Sequence, residues 1–238
     1  MALTDRKSAA TKFRQQIRRS NELHVEYLDD AQLLKSYDRF ANWQLQYLLP
    51  FFSGLYERDG YAAAIDFTMS DLAGVGISNR DRDLERAAPA ITRILPLRAL
   101  ATIATAAEMN TRVLKINLAI CRCLLENNEL PVMITESDYC FACRKASSLG
   151  EIVELVQLIT GLGRTLKSLI NVPMIGMTLR AMRAPAHVTG FGALQEFLEN
   201  GYFTFRQIPD IDHFLREIED RMIRIYERIY TMPLHQLD

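Results

Sequence analysis

This chain is poor in the residues that build ready-made chemistry. Its 238 residues include four histidines, four cysteines, eleven glycines and one tryptophan. None of His24, His187, His213 and His235 follows a Glu by three positions, so the Glu-x-x-His repeat of a di-iron bundle is excluded. The scarce glycines form no G-x-x-x-x-G-K-[ST] loop, which excludes a P-loop phosphate site. Gly161-Leu162-Gly163 falls inside a helical pattern, where small residues let helices approach closely. No G-x-S-x-G elbow is present, and no Ser or Cys has a local His partner. The net charge of -1 lacks the basic excess of a general nucleic-acid binder. No run of eighteen apolar residues exists, so no membrane-spanning helix is expected. Met1-Ala2-Leu3-Thr4-Asp5-Arg6-Lys7 is not followed by an apolar h-region, so no signal peptide is read. Four cysteines are too few for a disulfide framework in this length, which points to a reducing cytoplasm.

What is present is helical periodicity. With 49% apolar and 24% charged residues the chain has ordinary globular composition, long enough for one large domain. After Pro96, Leu97, Leu100, Ala104, Ala107, Thr111, Leu114, Leu118, Cys121 and Leu125 recur at spacings of three and four. A second stripe runs through Ile103, Ala106, Asn110, Val113, Asn117, Ile120 and Leu124. Two apolar stripes on one helix mean packing on two sides, so Leu97–Leu125 reads as a buried central helix. Asn110 and Asn117 then need hydrogen-bond partners, because an unpaired buried amide is costly. The last helix carries its core stripe on Ile211, Phe214, Leu215, Ile218, Met222, Ile225 and Ile229, with Pro209 and Asp210 at its start.

Caps set the other boundaries. Asp29 or Asp30 opens a helix, Ser148 with Glu151 matches a capping box, and Asn79 reads as the cap of the charged segment. Gly74 and Gly76 read as the end of the Ala62–Ile65 helix, and Gly201 as a C-cap after Leu194–Asn200. Pro131, Pro173 and Pro185 read as punctuation. Tyr202-Phe203-Thr204-Phe205 is the one strand-like alternation and is too short for a sheet. The expected fold is all-α: a single multi-helix bundle over residues 1–238, of roughly nine or ten helices, with residues 1–28 as a peripheral N-terminal helix.

Chemistry-bearing clusters are few. Cys121-x-Cys123 and Cys140-x-x-Cys143 offer four thiols. Residues two apart on a helix point about 200° apart, so the first pair cannot share a metal, and structural cysteines are expected. Neither metal nor cofactor is assigned. The basic stretch Arg6, Lys7, Lys12, Arg14, Arg18 and Arg19 has thin apolar content (Phe13, Ile17, Leu23) and reads as a solvated helix face. His213 and Glu217 read as a surface pair. Arg80, Asp81, Arg82, Asp83, Glu85 and Arg86 crowd one helix start, where interleaved arginines oppose a cation site. Arg80, Asp83 and Arg86 share a face, so Asp83 is expected to be partly buried and to bridge one of the two arginines, with Asp66 or Asp71 as a second acceptor.

The blocks Ala63-Ala64-Ile65-Asp66-Phe67-Thr68-Met69-Ser70-Asp71-Leu72-Ala73-Gly74, Arg80-Asp81-Arg82-Asp83-Leu84-Glu85-Arg86, Pro89 and Leu95-Pro96 resemble the bacterial "FFLEELY motif" proteins. Leu194-Gln195, Phe197-Leu198-Glu199, Gly201-Tyr202 and Phe205 are similar to that family too. Thr68, Ser70, Asp71 and Ala73 depart from the naming motif. The resemblance implies an all-helical bacterial protein with no assigned activity.

Taken with the missing motifs, the apolar helix faces make a non-enzymatic interaction or regulatory module the first functional reading, acting by self-association or on a protein partner. The alternative is a small-molecule-binding protein or enzyme with a polar pocket drawn from Trp43, Tyr47, Asp66, Arg80, Asp83 and Arg86.

Overall fold

In the computed structural model, residues 2–68, 77–94, 97–125, 130–170 and 173–233 are described. Among them there is no strand. The elements are α1 (Ala2–Leu28), α2 (Ala31–Leu48), a 3-10 turn (Leu49–Phe52), α3 (Ser53–Tyr56), α4 (Ala62–Asp66), α5 (Ile77–Ile94), α6 (Leu97–Leu124), α7 (Glu136–Ala146), α8 (Leu149–Ile170), α9 (Pro173–Val188), α10 (Gly192–Arg206) and α11 (Ile211–Thr231).

The central helix is where periodicity puts it. α6 buries Leu100, Ala104, Ala107, Leu114, Leu118, Cys121 and also Met109, Asn110, Asn117, Ile120 and Leu124, so both stripes are covered. It packs against α1, α2, α7 and α8. The amides on its second stripe find partners: Asn110 Nδ2 donates to Ser20 Oγ at 3.1 Å, and Asn117 Oδ1 accepts from Gln44 Nε2 at 3.4 Å.

The N-terminal helix is less peripheral than its composition suggests. Phe13 is fully buried and Ile17 and Leu23 nearly so, while the basic residues between them face outward. α1 lies along α6 and α5. Three apolar side chains at i, i+4 and i+10 suffice for one narrow stripe, and each adds ~1.5–3 kcal/mol on burial.

The caps on α2 and α11 form as expected. Asp30 accepts from the Gln32 and Leu33 amides, both at 3.0 Å, and Asp210 accepts from the His213 amide at 2.9 Å. Ser148 Oγ accepts from the Glu151 amide at 3.2 Å while Glu151 Oε2 takes the Ser148 amide at 2.8 Å. Those bonds hold the Glu151 carboxyl below its usual range. His213 turns away from Glu217 to meet Arg58, and Glu217 pairs with Arg221 at 3.1 Å.

Three boundary expectations are overturned. α5 begins at Ile77, so Asn79 lies within the helix and does not cap it. Gly201 lies inside α10, not after it: the Phe67 ring packs so closely there that a Cβ would sit 2.8 Å from Phe67 Cζ. The strand-like Tyr202–Phe205 alternation continues that same helix, burying Tyr202 and Phe205 on one face. Pro185 is inside α9, as Pro89 is inside α5. Gly74, Gly76 and Asp71 fall outside the described residues.

α9 and α10 form a hairpin closed by ion pairing. Both Glu199 oxygens accept from Arg183, with Nε to Oε2 at 3.1 Å. The Arg183 hydrogen bonds hold the Glu199 carboxyl below its usual value near 4.5. A carboxyl lowered on folding stabilises the protein fully above its unfolded value, and that contribution disappears as pH falls through the lower folded value. Melting temperature should therefore fall below about pH 4.5, and Glu199→Gln should flatten that fall. Parallel wild-type and variant profiles between pH 6 and 3 would show that the pair contributes nothing.

A second fixed point joins the α3–α4 turn to the α10–α11 turn. Gly60 has φ +79°, and a Cβ there would meet the Gln207 carbonyl oxygen at 2.7 Å and Pro209 Cδ at 2.9 Å. Tyr61, on the next position, sends its hydroxyl to the Asp210 carbonyl at 3.2 Å and packs edge-on against Phe214.

Candidate functional site

The residues expected to form a polar pocket fall in three separate places. Trp43 and Tyr47 stack with 5.2 Å between centroids and 7° between planes, one turn apart on α2. Both meet the Tyr139 ring edge-on at 5.2 Å. Tyr47 donates to Glu136 Oε1 at 2.7 Å, an oxygen that also takes Arg228 Nη2 at 2.8 Å. Burial and that carboxylate push the Tyr47 phenol above its usual value. Asp66 is exposed and accepts from the Tyr56 hydroxyl. The side chain of Arg80 lies outside the described residues.

Asp83 and Arg86 do come together. Asp83 is buried, with Arg86 Nη1 3.6 Å from its Oδ1. The guanidinium reaches on to the turn between α9 and α10, donating to the Gly190 carbonyl at 3.3 Å and the Thr189 carbonyl at 3.5 Å. It also lies over the Phe191 ring, 5.1 Å from the centroid. The charged segment thus ties α5 to the α9–α10 turn. Arg86 is half exposed, so removing Asp83 should cost less than breaking a fully buried pair, ~1–2 kcal/mol. Chemical denaturation of Asp83→Ala beside Glu227→Ala, an exposed control, measures it. Equal midpoints would show that the tie carries no stability.

A concave feature lies apart from these side chains. A cavity of 320 Å³ opens between α6, α8, α9, α10 and α11. Apolar side chains form nearly all of its wall: Ile103 and Met109 from α6, Ile159, Leu162 and Leu166 from α8, Leu179 from α9, Leu194 and Phe197 from α10, and Phe214, Leu215 and Ile218 from α11. Small residues line it as well: Ala106 and Ala107 from α6, with Gly163 and Gly201, whose Cβ positions are taken up by Leu215 and Phe67. Gly163 serves close helix approach, since a Cβ there would lie 2.6 Å from Leu215 Cδ2; Gly161 has open space instead. Leu198, 44% exposed, marks the side facing solvent.

A second cavity, of 110 Å³, lies toward α2 and shares Thr68, Met109, Ile159, Thr160 and Ile218 with the first. Its far end is polar, formed by Gln44, Asn117 and Tyr226. Gln44 Nε2 donates to the Tyr139 hydroxyl at 2.9 Å, and Tyr139 hydrogen-bonds Tyr226. Burial raises both phenols well above the usual tyrosine range. No charged side chain lines either cavity among the described residues.

None of the described residues expected at the site lines these cavities, yet four of their sequence neighbours do: Gln44 beside Trp43, Leu48 beside Tyr47, Phe67 beside Asp66, and Leu84 beside Asp83. Polar and aromatic types drew attention to one helix face, and the space lies behind the adjacent one. The signal for it was the Ala106-Ala107 step on a central helix, opposite Gly163.

The thiols make no site. Cys121, Cys140 and Cys143 are buried and unpaired with one another, and Cys123 is exposed. Burial pushes the Cys121 and Cys143 thiols up to about 12 and raises Cys140 as well. Among the described residues, no group of three His, Cys, Asp or Glu side chains could hold a metal ion. No helix among them is long and apolar enough to cross a membrane.

A family model described as Domain of unknown function (DUF8198) matches residues 24–234. The chain belongs to that family. The match takes in every cavity-lining residue except Ile17 on α1, so the family domain carries nearly the whole cavity wall. No curated protein and no solved structure matches the chain.

Proposed function

We propose that this protein binds a small apolar molecule in the cavity between α6, α8, α10 and α11. The observation that carries the reading is the size and lining of that space. Protein interiors are normally packed to crystal density with few voids larger than a water, and a binding pocket of about 300–1,000 Å³ with apolar walls is what a ligand site requires. Here 320 Å³ stands open within the bundle, beside the smaller cavity of 110 Å³. The order of the two sequence readings is thereby reversed. Among the described residues the exposed large apolar side chains are dispersed over α1, α3, α7 and the loop of Val132 and Met133, with Met177, Met182, Val188 and Leu198 on the α9–α10 hairpin.

The family resemblance fits a bacterial cytoplasmic protein, and we keep that as part of the proposal. Chemistry on the ligand has no support from the cavity wall, where no charged group and no nucleophile beyond hydroxyls is found among the described residues. Native mass spectrometry of protein purified from its host without detergent tests the reading. A non-covalent adduct that partitions into organic solvent is the expected result. Mass-homogeneous apo-protein that also fails to enhance the fluorescence of an apolar dye such as 1-anilinonaphthalene-8-sulfonate would overturn it.

A further inference from the structure

We infer that the ligand carries an uncharged hydroxyl head, read by Gln44 and Asn117 at the closed end of the smaller cavity. The inference rests on the apolar-ligand reading above and gives that ligand its chemical class.

Both amides are more than nine-tenths buried, with Asn117 6% and Gln44 8% exposed, and both line the cavity. Their mutual bond uses Gln44 Nε2 and Asn117 Oδ1, and Gln44 Nε2 also serves Tyr139. Asn117 Nδ2 donates to no described residue, and Gln44 Oε1 accepts from none. One amide donor and one amide acceptor are thus left on two hydrogen-bonded residues of a largely apolar wall. Exchanging the O and N of both amides leaves the same complement. The hydroxyls of Thr68 and Thr160 on the shared wall are already engaged, with the Ala64 carbonyl at 2.7 Å and with Glu219 Oε2 at 2.8 Å.

Leaving a buried donor and acceptor unmade is costly, and a ligand that supplies both partners recovers that cost. An alcohol does so with one oxygen: its O–H donates to Gln44 Oε1 and its lone pair accepts from Asn117 Nδ2. A carboxylate cannot, because it only accepts, and among the described residues no cation lines either cavity to offset a buried charge. The tail occupies the larger cavity.

The test is a competition series on the full chain at pH 8, displacing a fluorescent apolar probe with 1-dodecanol, dodecane and dodecanoate. Without polar readout dodecane should bind best, since burying a hydroxyl is unfavourable. The expected order is the reverse, with dodecanol at least tenfold tighter than either competitor. Asn117→Leu and Gln44→Met should each bring dodecanol to the level of dodecane. The wild-type series stands by itself if either variant fails to fold. Dodecane equal to or tighter than dodecanol overturns the head-group assignment and leaves the apolar cavity as a site. Displacement by none of the three overturns both readings. Dodecanoate tightest of the three also overturns the assignment, by requiring a cation at the site.

Discussion

Gly60→Ala should destabilise the fold by ~3 kcal/mol. Two independent costs add at this position. A side chain in the left-handed region costs ~1–2 kcal/mol, and the new Cβ would lie 2.7 Å from the Gln207 carbonyl oxygen and 2.9 Å from Pro209 Cδ. Backbone and a proline ring cannot swing aside as a flexible side chain can. Relief requires the α10–α11 turn to move, and that turn sets where Phe214 and Leu215 enter the core. Gly54→Ala, with nothing within 4 Å of its Cβ, is the matched control. Urea denaturation should separate the two variants by most of that amount. Coincident midpoints would mean that the two turns do not bear on each other.

Ala106→Phe should have effects of opposite sign on stability and on binding. The ring enters the 320 Å³ cavity, where apolar surface has no partner atoms. Filling apolar space recovers up to ~24 cal/mol per Å³, so about 1–2 kcal/mol is expected once strain is subtracted. Melting temperature should rise while affinity for an apolar probe falls a hundredfold or more. Such a trade is the usual signature of a site kept open at the expense of stability. A variant that melts lower and binds as before would mean that Ala106 faces a packed wall.

The fold was legible because its helices announce themselves twice, by period and by caps. α6 could be drawn from its two stripes, and α11 from one stripe and Asp210. The errors share a cause. Gly201, Pro185 and Asn79 are residues that end or open helices by local preference, yet all three sit inside helices here. At Gly201 the competing demand is a ring from another element, Phe67, packed where a Cβ would be. Nothing within the α10 sequence carries that demand. The charged segment was read correctly in part, since Asp83 is buried and meets Arg86. Its destination, the carbonyls of Thr189 and Gly190, lies about a hundred residues on and leaves no local trace. The cavity was hidden for a further reason. It is bounded by small side chains such as Ala106, and periodicity scores such positions as apolar whether or not they fill the space beside them.

The uneven burial of the cysteines has a practical corollary. Thiolate is the species that reacts with maleimides. Burial disfavours it at Cys121, Cys140 and Cys143 and also shields the sulfur, whereas Cys123 stands in solvent near the end of α6. The unaltered protein therefore accepts one dye at one place. That place is on the helix that supplies Ile103, Ala106 and Asn110 to the cavity wall, so a single fluorophore can watch the helix as the cavity fills and empties.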